Sequence, residues 1–77
     1  MVHAFVMIET GPGESEGLID DIRALSTVVE AHIVAGAYDV IAEVDGEQVH
    51  DVLQTASSRI QGLAGVTETK TYISLDE

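Results

Sequence analysis

Asp39 directly follows the glycine-containing stretch Gly36-Ala37-Tyr38, a setting that suits the two charges of a free amino acid. A carboxylate there can pair with an ammonium group, while N–H groups exposed in the same turn take a carboxylate. The competing reading is that Asp39 caps its own turn, because Asp side chains readily bond backbone groups near turns. Gly36 supplies a positive φ or a close backbone approach under either reading. Tyr38 either walls a pocket with its ring or packs at an interface between subunits. Ile33 and Val34 flank the turn, one on each strand face, so one of them can line a pocket while both contribute chiefly burial. Thr69 and Thr71 stand two apart and share a strand face, where their hydroxyls can reach a ligand or a neighbouring subunit. Threonine is equally an ordinary strand former.

The other reactive side chains fit known chemistries poorly. His3, His32 and His50 fall on two strands and a helix, with no pair at i, i+4 and no H-E-x-x-H pattern, so no metal site is expected. Gly11-Pro12-Gly13 is too short for a phosphate loop and lacks its Lys and Ser/Thr. Glu14, Glu16, Asp20 and Asp21 read as a solvated helix face. Cysteine is absent, which removes disulfides and thiolate ligands. No cofactor and no catalytic residue are expected.

Fourteen acids face three strong bases, Arg23, Arg59 and Lys70, for a formal charge of -11. Binding nucleic acid takes several Lys or Arg contacts to phosphate, so direct binding by this chain is not expected. The 45% apolar content and regular pattern argue against disorder. Such acidity fits either an ordinary acidic cytosolic protein or, the preferred reading, adaptation to concentrated salt, where screening relieves self-repulsion. No apolar run reaches the roughly 18 to 20 residues of a membrane span, and no basic leader precedes the first apolar stretch. A cytoplasmic location is expected.

The elements that carry these residues follow from periodicity. Val2 to Glu9 is strand-like and ends at the Thr10-Gly11-Pro12-Gly13 turn. Leu18, Ile19, Ile22 and Leu25 recur at helical spacing behind a run of acids, which predicts a helix over 14–25. Thr27 to Ala35 and Tyr38 to Val44 read as a β-hairpin about Gly36-Ala37. Asp45, with Gln48 three positions on, suggests a D-x-x-Q capping box. Val49, Val52, Leu53, Ala56 and Ile60 then form one apolar stripe of a second helix, ending near Gly62. Val66 to Leu75 is the last strand.

The order is βαβ twice, and Val28-x-Glu30-x-His32 recurs as Val66-x-Glu68-x-Lys70. Right-handed crossovers interleave two such halves into one antiparallel sheet with both helices on one face. The expected fold is therefore α+β, a ferredoxin-like βαββαβ sandwich over 1–77 as a single domain. In the first strand Val2, Ala4, Val6 and Ile8 point one way while His3, Phe5 and Met7 point the other. Both sides are largely apolar, so the face without helices is expected to pack against a second subunit through His3, Phe5 and Met7, giving a dimeric α/β barrel.

The stretch from His32 to Glu77 resembles the C-terminal effector domain of Lrp/AsnC regulators. The residues that carry the likeness are Gly36-Ala37-Tyr38-Asp39-Val40, then Gly65-Val66 and Thr69-x-Thr71 leading into the last strand. The opening VMIETGPG before an amphipathic helix fits as well. The resemblance implies a dimer that assembles into rings of dimers, with an amino acid or similar small effector bound between dimers. It also implies that Asp39 borders the effector pocket, with Ile33, Val34, Gly36, Ala37, Tyr38, Thr69 and Thr71 as the accompanying set. Relatives carry a helix-turn-helix ahead of this domain, and this chain starts at strand one. A stand-alone module that senses effectors and modulates transcription through partner regulators, full-length Lrp/AsnC proteins among them, is the expectation.

Two other functions share this element order. A stand-alone ACT-like regulatory domain would bind its amino acid near Gly11-Pro12-Gly13. A small dimeric α/β-barrel enzyme would need a poised base, with His3 or His32 the candidate, and fold alone does not decide function.

Overall fold

The structure, a computed structural model, describes residues 1–76. Its elements run β1 (Val2–Thr10), α1 (Ser15–Arg23), β2 (Val28–Ile33), β3 (Val40–Gly46), α2 (Val49–Gln54) and β4 (Val66–Ile73). A π-helical turn, Thr55–Ile60, continues α2. The four strands form one antiparallel sheet in the order β2-β3-β1-β4, so each half contributes one central and one edge strand. This is the interleaved ferredoxin-like sandwich that the doubled βαβ pattern predicts.

Alternation sets the layers. Ala4, Val6 and Ile8 of β1 and Val40, Ala42 and Val44 of β3 are buried under Leu18, Ile19 and Ile22 of α1 and under Val52, Ala56 and Ile60. Fully burying a Val, Leu or Ile side chain among them contributes about 1.5–3 kcal/mol. Register carries these positions across the sheet in rows. Ile33, Val40, Ile8 and Thr69 form one row, and Ala31, Ala42, Val6 and Thr71 the next.

The internal repeat is more exact in three dimensions than in letters. Leu25 N–H bonds Ile22 O and Val28 N–H bonds Leu25 O, just as Leu63 N–H bonds Ile60 O and Val66 N–H bonds Leu63 O. The register also slips at the same place in both copies, leaving Val29 unpaired between Val28 and Glu30, and Thr67 between Val66 and Glu68. Each V-x-E motif is thus a β-bulge, which returns the following Glu to the sheet face away from the helices.

Several expectations need correction. The N-cap of α2 is Gln48 rather than Asp45, and the Gln48 N–H donates to the Asp51 carboxylate at 3.2 Å. Asp45 stays in β3, because its backbone N–H is bonded to Thr27 O at 3.0 Å. The second helix widens into its π turn at Thr55, whose hydroxyl bonds back to Asp51 O at 3.1 Å. The buried set is therefore Val52, Thr55, Ala56 and Ile60, while Val49 and Leu53 of the expected stripe are each 45% exposed. The β2 and β3 strands are also shorter at the hairpin than predicted, which leaves residues 34–39 as a longer loop.

Candidate functional site

The loop between β2 and β3 folds back over the end of β1. Val34 N–H donates to Asp39 O at 2.8 Å and Asp39 N–H to Ile8 O at 2.9 Å. The Asp39 carboxylate accepts the Thr10 backbone N–H at 2.8 Å through Oδ2. That bond satisfies a nearly buried strand end, so Asp39 does act as a cap, though of β1 rather than of its own turn. Among the described residues its Oδ1 accepts no hydrogen bond, and the N–H groups of Ala35, Gly36, Ala37 and Tyr38 donate to nothing. Four consecutive open donors beside a half-free carboxylate can take the carboxylate and ammonium of one small zwitterion.

Gly36 does not have the role expected of it. Positive φ falls at Gly13 and Gly65 among the described residues, and nothing lies within 4 Å of a Cβ built on Gly36. The loop is open there, so the glycine is required neither by backbone conformation nor by close packing.

Tyr38 spans the end of the sheet to β4, where its hydroxyl donates to the Glu68 carboxylate at 3.3 Å. Partial loss of hydration and the Glu68 charge hold that hydroxyl above the ordinary phenol value of 10.0. Thr69 and Thr71 share a face as predicted, and it is the face under the helices. Thr69 Oγ1 accepts the Gln61 side-chain amide at 2.6 Å, a partner without any signal in the sequence pattern. Ile33 occupies the same row at the opposite edge and is 46% exposed. Three interstrand spacings, about 14 Å, separate it from Thr69. One subunit therefore does not bring Ile33 and the threonines to the same small ligand, whereas Val34, Gly36, Ala37, Tyr38 and Asp39 do form one continuous surface.

The helix-free face carries His3, Phe5 and Met7 alongside Ile41 and Tyr72. Phe5 is 36% and Tyr72 55% exposed. His3 is bracketed by two carboxylates, Asp45 at Nδ1 and Glu43 at Nε2, the latter at 3.0 Å. Its ring meets Phe5 edge-on with centroids 5.1 Å apart. The hydrogen bond to Asp45 is the largest influence on its pKa, and with Glu43 it outweighs lost hydration and raises the value above 6.5. The ring is anchored from both sides, each nitrogen being hydrogen-bonded to a carboxylate.

The βαββαβ order and interleaved sheet define the class of small ferredoxin-like α+β sandwiches. The family model of the Lrp/AsnC ligand binding domain matches residues 3–77, and the chain belongs to that family. A solved structure from Thermus thermophilus is 30% identical, with a TM-score of 0.94 over 100% of this chain and 96% of its own. An uncharacterized HTH-type transcriptional regulator from Pyrococcus abyssi is 26% identical over 76 residues, 95% of this chain and 51% of the relative. The chain thus spans about half the length of that regulator. A Neisseria meningitidis transcriptional regulator, solved as a complex with L-Met, shares the fold at a TM-score of 0.87 and 14% identity, over 99% of this chain and 51% of its own.

Proposed function

We propose that this module senses a small amino-acid effector at the β2–β3 loop and transmits its presence through assembly with itself and with partner regulators. The observation that carries the reading is the pairing of open backbone donors at residues 35–38 with the free Asp39 Oδ1. That pairing matches the charges of an amino acid's main-chain groups. The Neisseria regulator bound to L-Met supports the ligand class, and the Pyrococcus relative supports a regulatory setting.

Assembly is part of the same proposal. Phe5, Met7, Ile41 and Tyr72 form an apolar band on the helix-free face, and a second copy packed sheet to sheet would remove it from water. Because Ile33 and Thr69 lie at opposite edges, the predicted ligand set becomes contiguous only if subunits meet at those edges. DNA contact falls to the partner regulators, since a charge of -11 repels a phosphate backbone. A regulatory role rather than catalysis follows, with His3 held by two carboxylates.

The test is a thermal-shift screen of the common amino acids, L-methionine included, in concentrated salt. A ligand present at 100 times its Kd adds about 2.7 kcal/mol of stability. Stabilisation by at least one amino acid, lost in Asp39→Asn, is the expected result. Equal stabilisation of wild type and variant would sink the assignment of the loop.

A further inference from the structure

Beside its apolar band, the helix-free face carries a cluster whose hydrogen bonds do not close without an extra proton. His3 meets the Asp45 carboxylate at Nδ1 and the Glu43 carboxylate at Nε2, the latter at 3.0 Å. An ionised carboxylate only accepts, and a neutral imidazole has a single N–H. Both bonds therefore stand together only when the three groups share one proton more than a neutral ring and two carboxylates hold. Without it, one ring nitrogen presents its lone pair to a carboxylate oxygen. His32 is the contrast, since its one bond, between Nε2 and Glu30 at 3.0 Å, is satisfied by a neutral ring.

The neighbouring charges do not relieve the cluster. In β2, Glu30 stands opposite Glu43. In β4, Tyr72 lies beside Phe5 and Lys70 beside Met7. Met1, with its α-ammonium, and Asp76 line the same opening as His3 and Asp45. Among the described residues, Glu43 and Asp45 form ion pairs with His3 and with no other base. The helices pack on the opposite face. The bond to Asp45 is the largest influence on the ring, and with Glu43 it holds the pKa above 6.5 against partial loss of hydration.

The cluster is continuous with the apolar band, because the His3 ring packs edge-on against Phe5 with centroids 5.1 Å apart. A second copy laid on Phe5, Met7, Ile41 and Tyr72 thus reaches His3, and a two-fold pair brings one cluster from each subunit into the interface. With the proton, an imidazolium offsets one of the two carboxylates. Without it, both carboxylates lose water uncompensated, which costs more.

We infer that pairing of two copies through the helix-free face takes up a proton at the His3–Glu43–Asp45 cluster of each subunit, so that the pair tightens as pH falls and loosens as pH rises. This regulation rests on the sheet-to-sheet packing proposed above. Pairing that favours the protonated cluster lifts the His3 value beyond that of the separate subunit. The dissociation constant is then flat below pH 6.5 and climbs above it, by at most about tenfold per pH unit for each proton.

The experiment is sedimentation equilibrium of the whole chain at one fixed, concentrated salt from about pH 5.5 to 8.5, a range spanning His titration. Wild-type pairing should weaken by at least about tenfold across it. His3→Gln keeps the Met1 amine, so its smaller response measures what the N-terminus contributes. Glu43→Gln combined with Asp45→Asn offers neutral amides that satisfy a neutral ring, and should show only that smaller response. Circular dichroism at each pH establishes that the variants fold. On wild type alone, NMR of the His3 ring should give a higher titration midpoint at concentrations where pairs predominate than in dilute solution. Pairing of equal strength at every pH, a response equal in wild type and His3→Gln, or a His3 midpoint that does not rise on pairing would each overturn the proton uptake while leaving the sheet packing intact. Single chains at every pH and concentration would overturn both.

Discussion

The Asp39 carboxylate accepts the Thr10 backbone N–H at 2.8 Å, locking the β2–β3 loop onto the last residue of β1. Asp39→Ala leaves that N–H, at a residue only 9% exposed, without an acceptor. The variant should lose about 1–3 kcal/mol, the cost of an unsatisfied buried donor. Asp39→Asn keeps a carbonyl oxygen for Thr10 and should stay within about 1 kcal/mol of wild type, while losing the charge that would pair with an effector's ammonium. Urea unfolding of the two variants separates the cap from the ligand role.

His3, between Asp45 and Glu43, makes stability depend on pH in a defined direction. Asp45 foremost, then Glu43, raises its pKa above 6.5, so the folded chain holds the proton more tightly than the unfolded chain. The contribution is complete below pH 6.5 and is lost as pH climbs through the raised value. The melting temperature of the wild type should therefore hold below pH 6.5 and fall as pH rises above it. His3→Asn cannot titrate there and should flatten that part of the curve at constant ionic strength.

The π turn inverts the ranking of two residues that a regular helix would treat alike. Ile60 is fully buried and Leu53 is 45% exposed, so Ile60→Ala should cost about 2–5 kcal/mol and Leu53→Ala less than about 1 kcal/mol. Chemical denaturation of both variants measures the difference. A larger loss at Leu53 would mean that the second helix keeps α-helical phase through Thr55–Ile60.

These contrasts show what kind of information the residues carry openly. Alternation in β1 and helical spacing in α1 read directly, because burial of one face imposes a period on apolar residues and acts on every turn alike. The doubled βαβ order then dictated the sheet, since few arrangements of two crossovers bury both helices. Phase within α2 was hidden because a threonine does not announce that its hydroxyl will bond Asp51 O and Thr27 and widen the helix. Gln48 took the cap from Asp45 because Asp45 was held in β3 by Thr27, a contact between residues far apart in sequence. At the candidate site, Asp39 and its turn were legible as a chemistry of charges and donors. The distance between Ile33 and Thr69 was not, because which strands lie between them is a property of the assembled sheet.

Salt provides the last prediction. None of the three strong bases forms an ion pair with a carboxylate among the described residues, where the ion pairs are made by His3 and His32. Arg23 spends its guanidinium on Ala31 O, at 2.8 and 3.1 Å. The surplus of eleven negative charges is thus offset mainly by solvent ions. Raising salt from about 0.1 M to 1 M shortens the Debye length from about 10 to 3 Å, so repulsion between surface acids should fade and the melting temperature should rise. Salts also strengthen apolar burial, and a variant separates the two effects. Asp20 and Asp21 are exposed near the C-terminal end of α1, where cations suit the helix dipole. Asp20→Lys combined with Asp21→Lys should therefore stabilise the chain in dilute buffer and reduce the gain from salt. If both proteins gain equally, burial rather than screening governs the response, and the acidic surface does not by itself tie stability to brine.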